Sequence, residues 1–576
     1  MATKQKRWIL PTSLAPSEAA RYPGLHPILA QILHNRGFTD PVEAARFLAG
    51  AITFSDPLKM KGMAKAVARI RTAIKSKEPI IVYGDFDADG VTSTALMVSV
   101  LRALGANVKE YIPDRVDEGY GLNDTALIKL AKSGAKVVIT VDCGIRSLKE
   151  VETGNRAKLD MIITDHHSIG AELPRAHAVI NPKQEGCTGE SMLAGVGVAY
   201  KLAQALIRIA QQQDRRDIPL RPEDLLDLVA LGTVADLAPL DRPENRALVM
   251  AGLKQLQEAK RPGINAILQV AGMKPSEVDA MAIGFTIGPR LNAAGRLKHA
   301  GIAYELLVTD DPVVAGVRAQ ELQKLNEDRQ SLTRQMQEFA RLQAGLERLD
   351  RGEDVPLIFA ADKNYLQGIV GLVAGRLTEE YYRPAVIVHY DEKGESHGSC
   401  RSIAEFNITE ALDECADLLI RHGGHAQAAG FAIHNDNLPL FRQRLTEIAG
   451  ERLQGKDLQP SLEIDAEVNL KQINMELYEA LKSLEPCGHA MSAPVLCARR
   501  LKVIEARAVG KEAAHLKLRL QDGELERDAI AFRLGGLADS LPPYVDVAFQ
   551  LVLNQWNGTS KLELMVQDIR WTERRA

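Results

Sequence analysis

Three aspartates at alternate positions in Tyr83-Gly84-Asp85-Phe86-Asp87-Ala88-Asp89-Gly90 are the first side chains in this sequence with the spacing to do chemistry. They follow the apolar run Ile80-Ile81-Val82-Tyr83 and precede a helical stretch beginning near Thr92. A single Asp at such a place reads as a helix cap; three weaken that reading. The arrangement recurs where residues 137–141 end in Asp142-Cys143-Gly144 and residues 161–164 end in Asp165-His166-His167. A helical run at 225–231 ends in Gly232-Thr233-Val234-Ala235-Asp236. Carboxylates gathered this closely repel, and each has its pKa raised unless cations neutralise the group. Asp oxygens mixed with His nitrogens, without convincing thiolates, suit Mn²⁺ or Mg²⁺ better than structural zinc. Two ions about 3.5–4 Å apart would activate a water and stabilise charge on a phosphoryl oxygen, which is the chemistry of phosphoester hydrolysis. An isolated His-His pair is more often non-catalytic, but directly after a strand-end Asp the balance reverses.

Convergence of these acids demands a scaffold. Short apolar runs at 80–83, 108–112, 137–141, 161–163 and 178–180 alternate with helical stretches, which predicts α/β architecture with a doubly wound parallel sheet. Such sheets bind ligands at the carboxyl ends of their strands. Asp236 joins from a helical layer over 194–307. Residues 1–75 read as a helical lead-in, with helices at 27–34, 41–48 and 60–74, and 76–311 as the catalytic domain. Leu322, Leu325, Leu332, Met336, Phe339, Leu342 and Leu346 recur at helical spacing within 312–350. They predict a long amphipathic connecting helix of near 35 residues, on the order of 50 Å. A smaller α/β domain follows at 351–455, with strands at 357–360 and 385–389 and helices at 369–377 and 408–419. From 456 to 576 the period becomes two, with hairpin signals at Asp522-Gly523 and Asn557-Gly558. That predicts an antiparallel OB-type β-barrel.

Bulk composition names no partner. Lys plus Arg total 71 against 75 Asp plus Glu, a net charge of −4, and 46% apolar with 25% charged residues is ordinary for a globular protein. Length alone suggests three or four domains. The six cysteines form no Cys-x-x-Cys pair, which points to a reducing cytoplasm and not to a disulfide framework. No apolar run approaches membrane-span length.

Asp165-His166-His167, with Asp87-x-Asp89, Asp142 and Asp236 in this order, resembles the DHH phosphoesterase superfamily. Further matches are Ile112-Pro113-Asp114-Arg115 leading to Gly119-Tyr120-Gly121-Leu122, the segment Gly288-Pro289-Arg290-Leu291-Asn292-Ala293-Ala294-Gly295-Arg296, and Gly423-Gly424-His425. The fuller set is similar to the RecJ family of bacterial 5′→3′ single-strand DNA exonucleases, from about residue 40 to 435, with the β module where that family carries an OB-fold. The resemblance implies a metal centre of two Mn²⁺ (or Mg²⁺) ions held by Asp87, Asp89, Asp142, Asp165, His166 and Asp236. His167 would lie beside the scissile phosphate, and Asp85 would be a ligand or support one. The smaller α/β unit would be a DHHA1 domain that takes the substrate's phosphate end on Ser399, Arg401, Ser402, Gly424 and His425. Arg115, Arg290, Asn292 and Arg296 would contact phosphates or DNA, as a guanidinium fork matches phosphate oxygens.

The sequence departs from the family at Leu366, where His is usual, at Cys143, where Asn is frequent, and at Cys400, where Gly is common. None is a proposed metal ligand. The implied function is a single-stranded-DNA-specific 5′→3′ exonuclease in DNA repair and recombination, monomeric, cytoplasmic, without a membrane, and served by a helicase and a single-strand-binding protein. Two other readings stand beside it: a DHH hydrolase of short oligonucleotides, cyclic dinucleotides or pyrophosphate, and a non-catalytic DHH scaffold of a replication complex.

Overall fold

The computed structural model describes residues 6–52, 54–215, 217–556 and 559–572. Strand β1 (Arg7–Ile9) and helices α1 (Pro27–Asn35), α2 (Pro41–Ala49) and α3 (Met63–Lys75) open the chain. Proline in the first turn, after His26 or Asp40 as cap, starts α1 and α2. Then β2 (Pro79–Tyr83), α4 (Ala88–Ala103), β3 (Asn107–Tyr111), α5 (Asp124–Lys132), β4 (Val137–Val141), α6 (Leu148–Arg156), β5 (Asp160–Thr164) and β6 (Ala178–Ile180) alternate as expected. All pairings are parallel, in the order β3-β2-β4-β5-β6. Ile80 and Val82 enter one core with α3 and α4, while Ile81 and Tyr83 enter another with Leu127 and Val151. Both faces of the sheet are covered, and every residue of β4 is buried. Strand order reverses between β2 and β4, so a crevice opens at their carboxyl ends.

A helical layer follows: α7 (Gly195–Gln212), α8 (Leu226–Ala235), α9 (Pro243–Glu258), α10 (Pro262–Val270), α11 (Gly288–Leu297) and α12 (Gly301–Val308). The connecting helix α13 (Pro312–Gln343) has 32 residues, about 48 Å. It stops short of the expected end because Gly345 takes a left-handed conformation, φ +64°. Leu322, Leu325 and Met336 are buried, but Phe339 and Leu342 face solvent, so the apolar stripe is shorter than the spacing implies.

The second α/β unit comprises β7 (Ile358–Asp362), α14 (Val370–Tyr381), β8 (Ala385–His389), β9 (Glu395–Arg401), α15 (Ile408–Asp413), β10 (Leu419–His425), β11 (Ala428–His434) and α16 (Leu438–Leu453). Its sheet runs β10-β11-β9-β8-β7. The helix expected over 408–419 ends at Asp413, and Gly423-Gly424-His425 lies in the edge strand β10, not in a helix-to-loop turn.

The chain ends with β12 (Ser461–Glu463), β13 (Ala466–Glu467), α17 (Met475–Lys482), β14 (Leu496–Val509), β15 (His515–Asp522), β16 (Leu525–Ala531), β17 (Tyr544–Trp556) and β18 (Thr559–Trp571). Strands β14-β15-β16-β18-β17 close on one another through β14–β17, and one parallel pairing, β16–β18, completes an otherwise antiparallel barrel. The Asp522-Gly523 hairpin forms with Gly523 at φ +59°, whereas Asn557-Gly558 lies outside the described residues.

The opening helices are more than a lead-in. Ile32 and Phe47 share one apolar core with the parallel sheet and with Leu496 and Leu518 of the barrel. Strand β1 pairs with β12, and the Trp8 indole N–H donates to Asp568 Oδ2 at 2.7 Å. Arg246, fully buried on α9, donates to the carbonyls of Phe47, Ser483, Leu484, Glu485 and Pro486. One guanidinium therefore ties three segments far apart in sequence.

Candidate active site

At the crevice, Asp87 caps α4 by accepting Gly90 N–H, which leaves Asp85 on the loop before it and Asp89 on the helix's first turn. Asp89 accepts the N–H groups of Gly195 and Val196 at the start of α7, at 2.7 and 2.8 Å. Asp142 follows β4 at φ +63°, an uncommon conformation for a non-glycine residue, in contact with the same helix start. A Cβ at Gly195 would lie 2.5 Å from Asp142 Oδ1, so glycine is required for this approach. Asp236 ends α8.

The donor atoms form three sets, each within 4.8 Å: Asp85, Asp87 and Asp142; Asp89, His166 and Asp236; Asp142, His166 and His167. Asp142 and His166 belong to two sets each, which is the pattern of adjacent ion sites. His166 Nε2 lies 3.1 Å from Asp142 Oδ1 and 3.6 Å from Asp236 Oδ2. Yet Asp85 Oδ1, Asp142 Oδ1 and His166 Nε2 are buried without a hydrogen-bond partner. Orphaned buried lone pairs are costly, and their convergence fits a divalent cation.

The electrostatics agree. Burial, and then the charge of neighbouring aspartates, raises Asp85, Asp89 and Asp142 well above the usual carboxylate range. Asp236 is pushed up to about 7 by burial and Asp87. Burial and the neighbouring His167 hold His166 down at about 3, a neutral ring with a lone pair to offer. An acid with a raised folded-state pKa opposes folding above that pKa and ceases to oppose it below the unfolded value near 3.9. His166 works the other way below about pH 6.5, but four raised acids outweigh one depressed ring, so the metal-free chain is expected to gain thermal stability as pH falls from about 7 toward 4. Saturating Mn²⁺ should reverse the trend by stabilising the neutral-pH form; a pH-independent melting temperature in EDTA would refute this.

Asp165 is placed apart from the other expected ligands. Its Oδ2 accepts Ile145 N–H, and its Oδ1 accepts the N–H groups of His166 and His167 and His167 Nδ1 at 2.8 Å. It stands outside the three donor sets, and it orients the two histidines. Burial opposes charge on both Asp165 and His167, but their mutual hydrogen bond and attraction outweigh it, lowering the acid's pKa and raising the ring's. The Tyr120 hydroxyl lies 3.1 Å from His167 Nδ1. Tyr120 belongs to the Gly119-Tyr120-Gly121-Leu122 motif, whose spacing alone assigns it no part.

The arginines divide. Arg115 stacks on Phe86, 3.9 Å from the ring centre, and donates to Gly295 O near Asp85 and Asp87. Arg296 donates to Gly368 O just before α14 and is pushed down to about 9 by burial, then by Arg115, Arg329 and Arg401 nearby. Arg329 on α13, which no motif marked, has a buried Nε without a partner. Ser399 and Arg401 share the face of β9 turned to α14, where a Cβ at Gly371 would lie 2.9 Å from Ser399 Oγ. Guanidinium groups gathered at a helix start, with few carboxylates to answer them, suit a phosphate.

Three other expected contacts point elsewhere. Arg290 donates to Thr286 O and Gln323 Oε1, Asn292 Oδ1 accepts Ala88 N–H beside Asp87, and Ser402 Oγ donates to Phe406 O within its own loop. Gly424, at φ +150°, has a Cβ direction filled by Ala428 O at 2.3 Å, which the tight β10–β11 hairpin requires. His425 is exposed in the same cross-strand row as Ala428 and Arg401. Of the departures, Cys143 and Cys400 are fully buried in apolar cores, and Leu366 is exposed before α14.

Comparison with known proteins agrees with this layout. Residues 79–233 match the DHH family, N-terminal domain, residues 354–451 the DHHA1 domain, and residues 464–568 the RecJ OB domain. The chain is 38% identical to the single-stranded-DNA-specific exonuclease RecJ of Bacillus subtilis over 95% of its length and 68% of the relative's. It is 36% identical to the RecJ of Escherichia coli over 95% and 96%. The crystal structure of Thermus thermophilus RecJ in complex with Mn²⁺ superposes with a TM-score of 0.84 at 31% identity, covering 98% of this chain and 80% of that one. A Mg²⁺ complex of the same protein gives 0.78 at 30%, covering 98% and 79%. Family domains in this order and identity along nearly the whole chain carry one conclusion: the chain belongs to the RecJ family of single-stranded-DNA-specific exonucleases.

Proposed function

We propose that the chain hydrolyses single-stranded DNA from its 5′ end with two divalent ions, Mn²⁺ or Mg²⁺. Asp85, Asp87, Asp142, Asp89, His166 and Asp236 would hold the ions, which supply an activated water and neutralise charge on the attacked phosphate. The chain's own groups do the rest. Asp165 fixes the orientation of His167 at the mouth, where it would face the scissile phosphate. Asn292 and Gly195 hold the loop and helix starts that aim the carboxylates. The observation that carries the polarity is the arginine cradle of Arg115, Arg296, Arg329 and Arg401 beside the donors. DNA normally carries a terminal phosphate at the 5′ end and a hydroxyl at the 3′ end, so a cradle for a terminal dianion selects the 5′ end.

End-labelled strands test this. Strands with a 5′ phosphate should be degraded from that end in Mn²⁺ or Mg²⁺, and preference for a dinucleotide over a long strand would favour the short-oligonucleotide reading. Arg401→Ala should raise KM for 5′-phosphorylated strands roughly 10- to 100-fold, the worth of a charge-assisted contact, and erase discrimination against 5′-hydroxyl strands. Unchanged discrimination would remove Arg401 from the cradle. The barrel's part is single-strand binding. A helicase exposing 5′ ends and a single-strand-binding protein fit as partners of a monomeric, cytoplasmic enzyme in repair and recombination. Among the described residues no helix is long and apolar enough to cross a membrane.

A further inference from the structure

The start of α11, opposite the Arg296 end, adjoins a turn that the reaction above does not use. Residues Ile283–Ile287 form one turn of π-helix, in which Gly288 N–H donates to Ile283 O, five residues back. Such turns recur at functional sites. Here the turn presents Phe285 to solvent at 74% exposure, with Met281 just before it at 55%. It rests on the end of α8, since a Cβ at Gly288 would lie 3.7 Å from Ala235 Cβ. Ala235 precedes Asp236, and Leu237 beyond it is 65% exposed at φ +57°. Arg290 fastens the turn by donating to Thr286 O at 2.7 Å and to Gln323 of α13 at 2.8 Å. Single exposed apolar residues are ordinary; here Leu237 follows Asp236 directly, and Met281 and Phe285 stand on the arginine-held turn that rests on the same helix end, and together they form a lip.

Helix α11 sets the order of parts. Arg296 near its end bonds to Gly368 in the cradle, Asn292 one turn back holds the loop of Asp87, and Gly288 at its start touches the helix of Asp236. Arg296 and Gly288 stand about 12 Å apart along the axis. A strand with its terminal phosphate in the cradle and its scissile phosphate at the donors therefore runs on toward Leu237, Met281 and Phe285. We propose that this lip is a base-stacking platform for nucleotides on the 3′ side of the cleaved bond, with Phe285 the stacking ring. The assignment rests on the 5′-end reading above. An aromatic ring with a thioether beside it suits the faces of bases without regard to sequence.

The test uses the full-length chain with Mn²⁺ and 5′-phosphorylated strands of increasing length. For the parent, kcat/KM should rise from the dinucleotide to strands long enough to reach the lip. Phe285→Ala should lower kcat/KM roughly 5- to 100-fold on strands of about six nucleotides or more and leave the dinucleotide unchanged, while Phe285→Trp retains parental values. Removing the bases that reach the lip should slow the parent by the same factor and slow Phe285→Ala no further. Equal losses on dinucleotide and long strand, or no loss on the long strand, would overturn the platform. Failure of the 5′-end reading would show separately, as parental indifference to the 5′ phosphate.

Discussion

Asp142→Asn is expected to lower hydrolysis of single-stranded DNA by at least about 10³-fold while the chain melts no lower than the parent in EDTA. Asp142 belongs to two donor sets, so exchanging one oxygen for an amide nitrogen weakens both. Ion catalysis is worth several kcal/mol, and each 1.36 kcal/mol is tenfold in rate. Folding should survive because Asn matches Asp in size and tolerates the left-handed backbone at φ +63°. It should improve because the buried carboxylate sits among Asp89, Asp87, Asp236 and Asp85, and a neutral amide ends that repulsion. Steady-state rates with Mn²⁺, and melting temperatures with and without it, check both halves. Activity within tenfold of the parent would refute the assignment, and a large loss of stability in EDTA would mean the carboxylate is a structural acceptor.

Arg246→Met should be the most destabilising single change outside the site, by about 3–5 kcal/mol. Methionine fills much of the volume, but five carbonyls lose their donor. Burial already pushes this guanidinium down to about 10, so its placement costs energy that the carbonyls offset. Since it joins the opening helices, α9 and the segment before the barrel, protease cleavage between residues 453 and 496 should accelerate together with loss of nuclease stability. Arg246→Lys, with fewer donors, should fall between. Unaltered protease resistance would show that the three segments hold without the arginine.

Much of this architecture was legible because one residue type per position carried the signal. Strands β2, β4 and β5 read as continuous apolar runs since both faces are covered, and the acids stood out by lying where such runs stop. Spacing could not say which acids remain free to bind. Asp165 and Asp89 look alike in sequence, but both carboxylates are aimed by backbone N–H groups, and Asp165 is closed off by His167 as well. Motif position likewise could not separate Arg296, turned to Gly368, from Arg290, turned to Thr286, because they occupy different faces of α11. The Gly423-Gly424 pair is expected to meet a phosphate because glycine lets a backbone approach closely, but spacing could not show that it lies in an edge strand. The apolar core shared by Phe47, the sheet and Leu518 lay beyond any local pattern.

The net charge of −4 has a spatial meaning: acids converge where ions would sit, and arginines gather beside them. Bulk charge was silent because a sum over 71 basic and 75 acidic residues carries no positions.

Strand β1 pairs with β12, and Trp8 bonds to Asp568. During synthesis at about 5–20 residues per second, the first strand emerges roughly 25 to 90 seconds before its partner. For that interval Trp8 is without the strand and the carboxylate it meets in the finished molecule, although Phe47 already has Arg246 to pack on. Strand β1 thus settles late, and a ribosome that stalls before residue 461 leaves it and Trp8 exposed to chaperones and proteases. Exposure of residues 7–9 therefore reports whether residues 461–463 have been made.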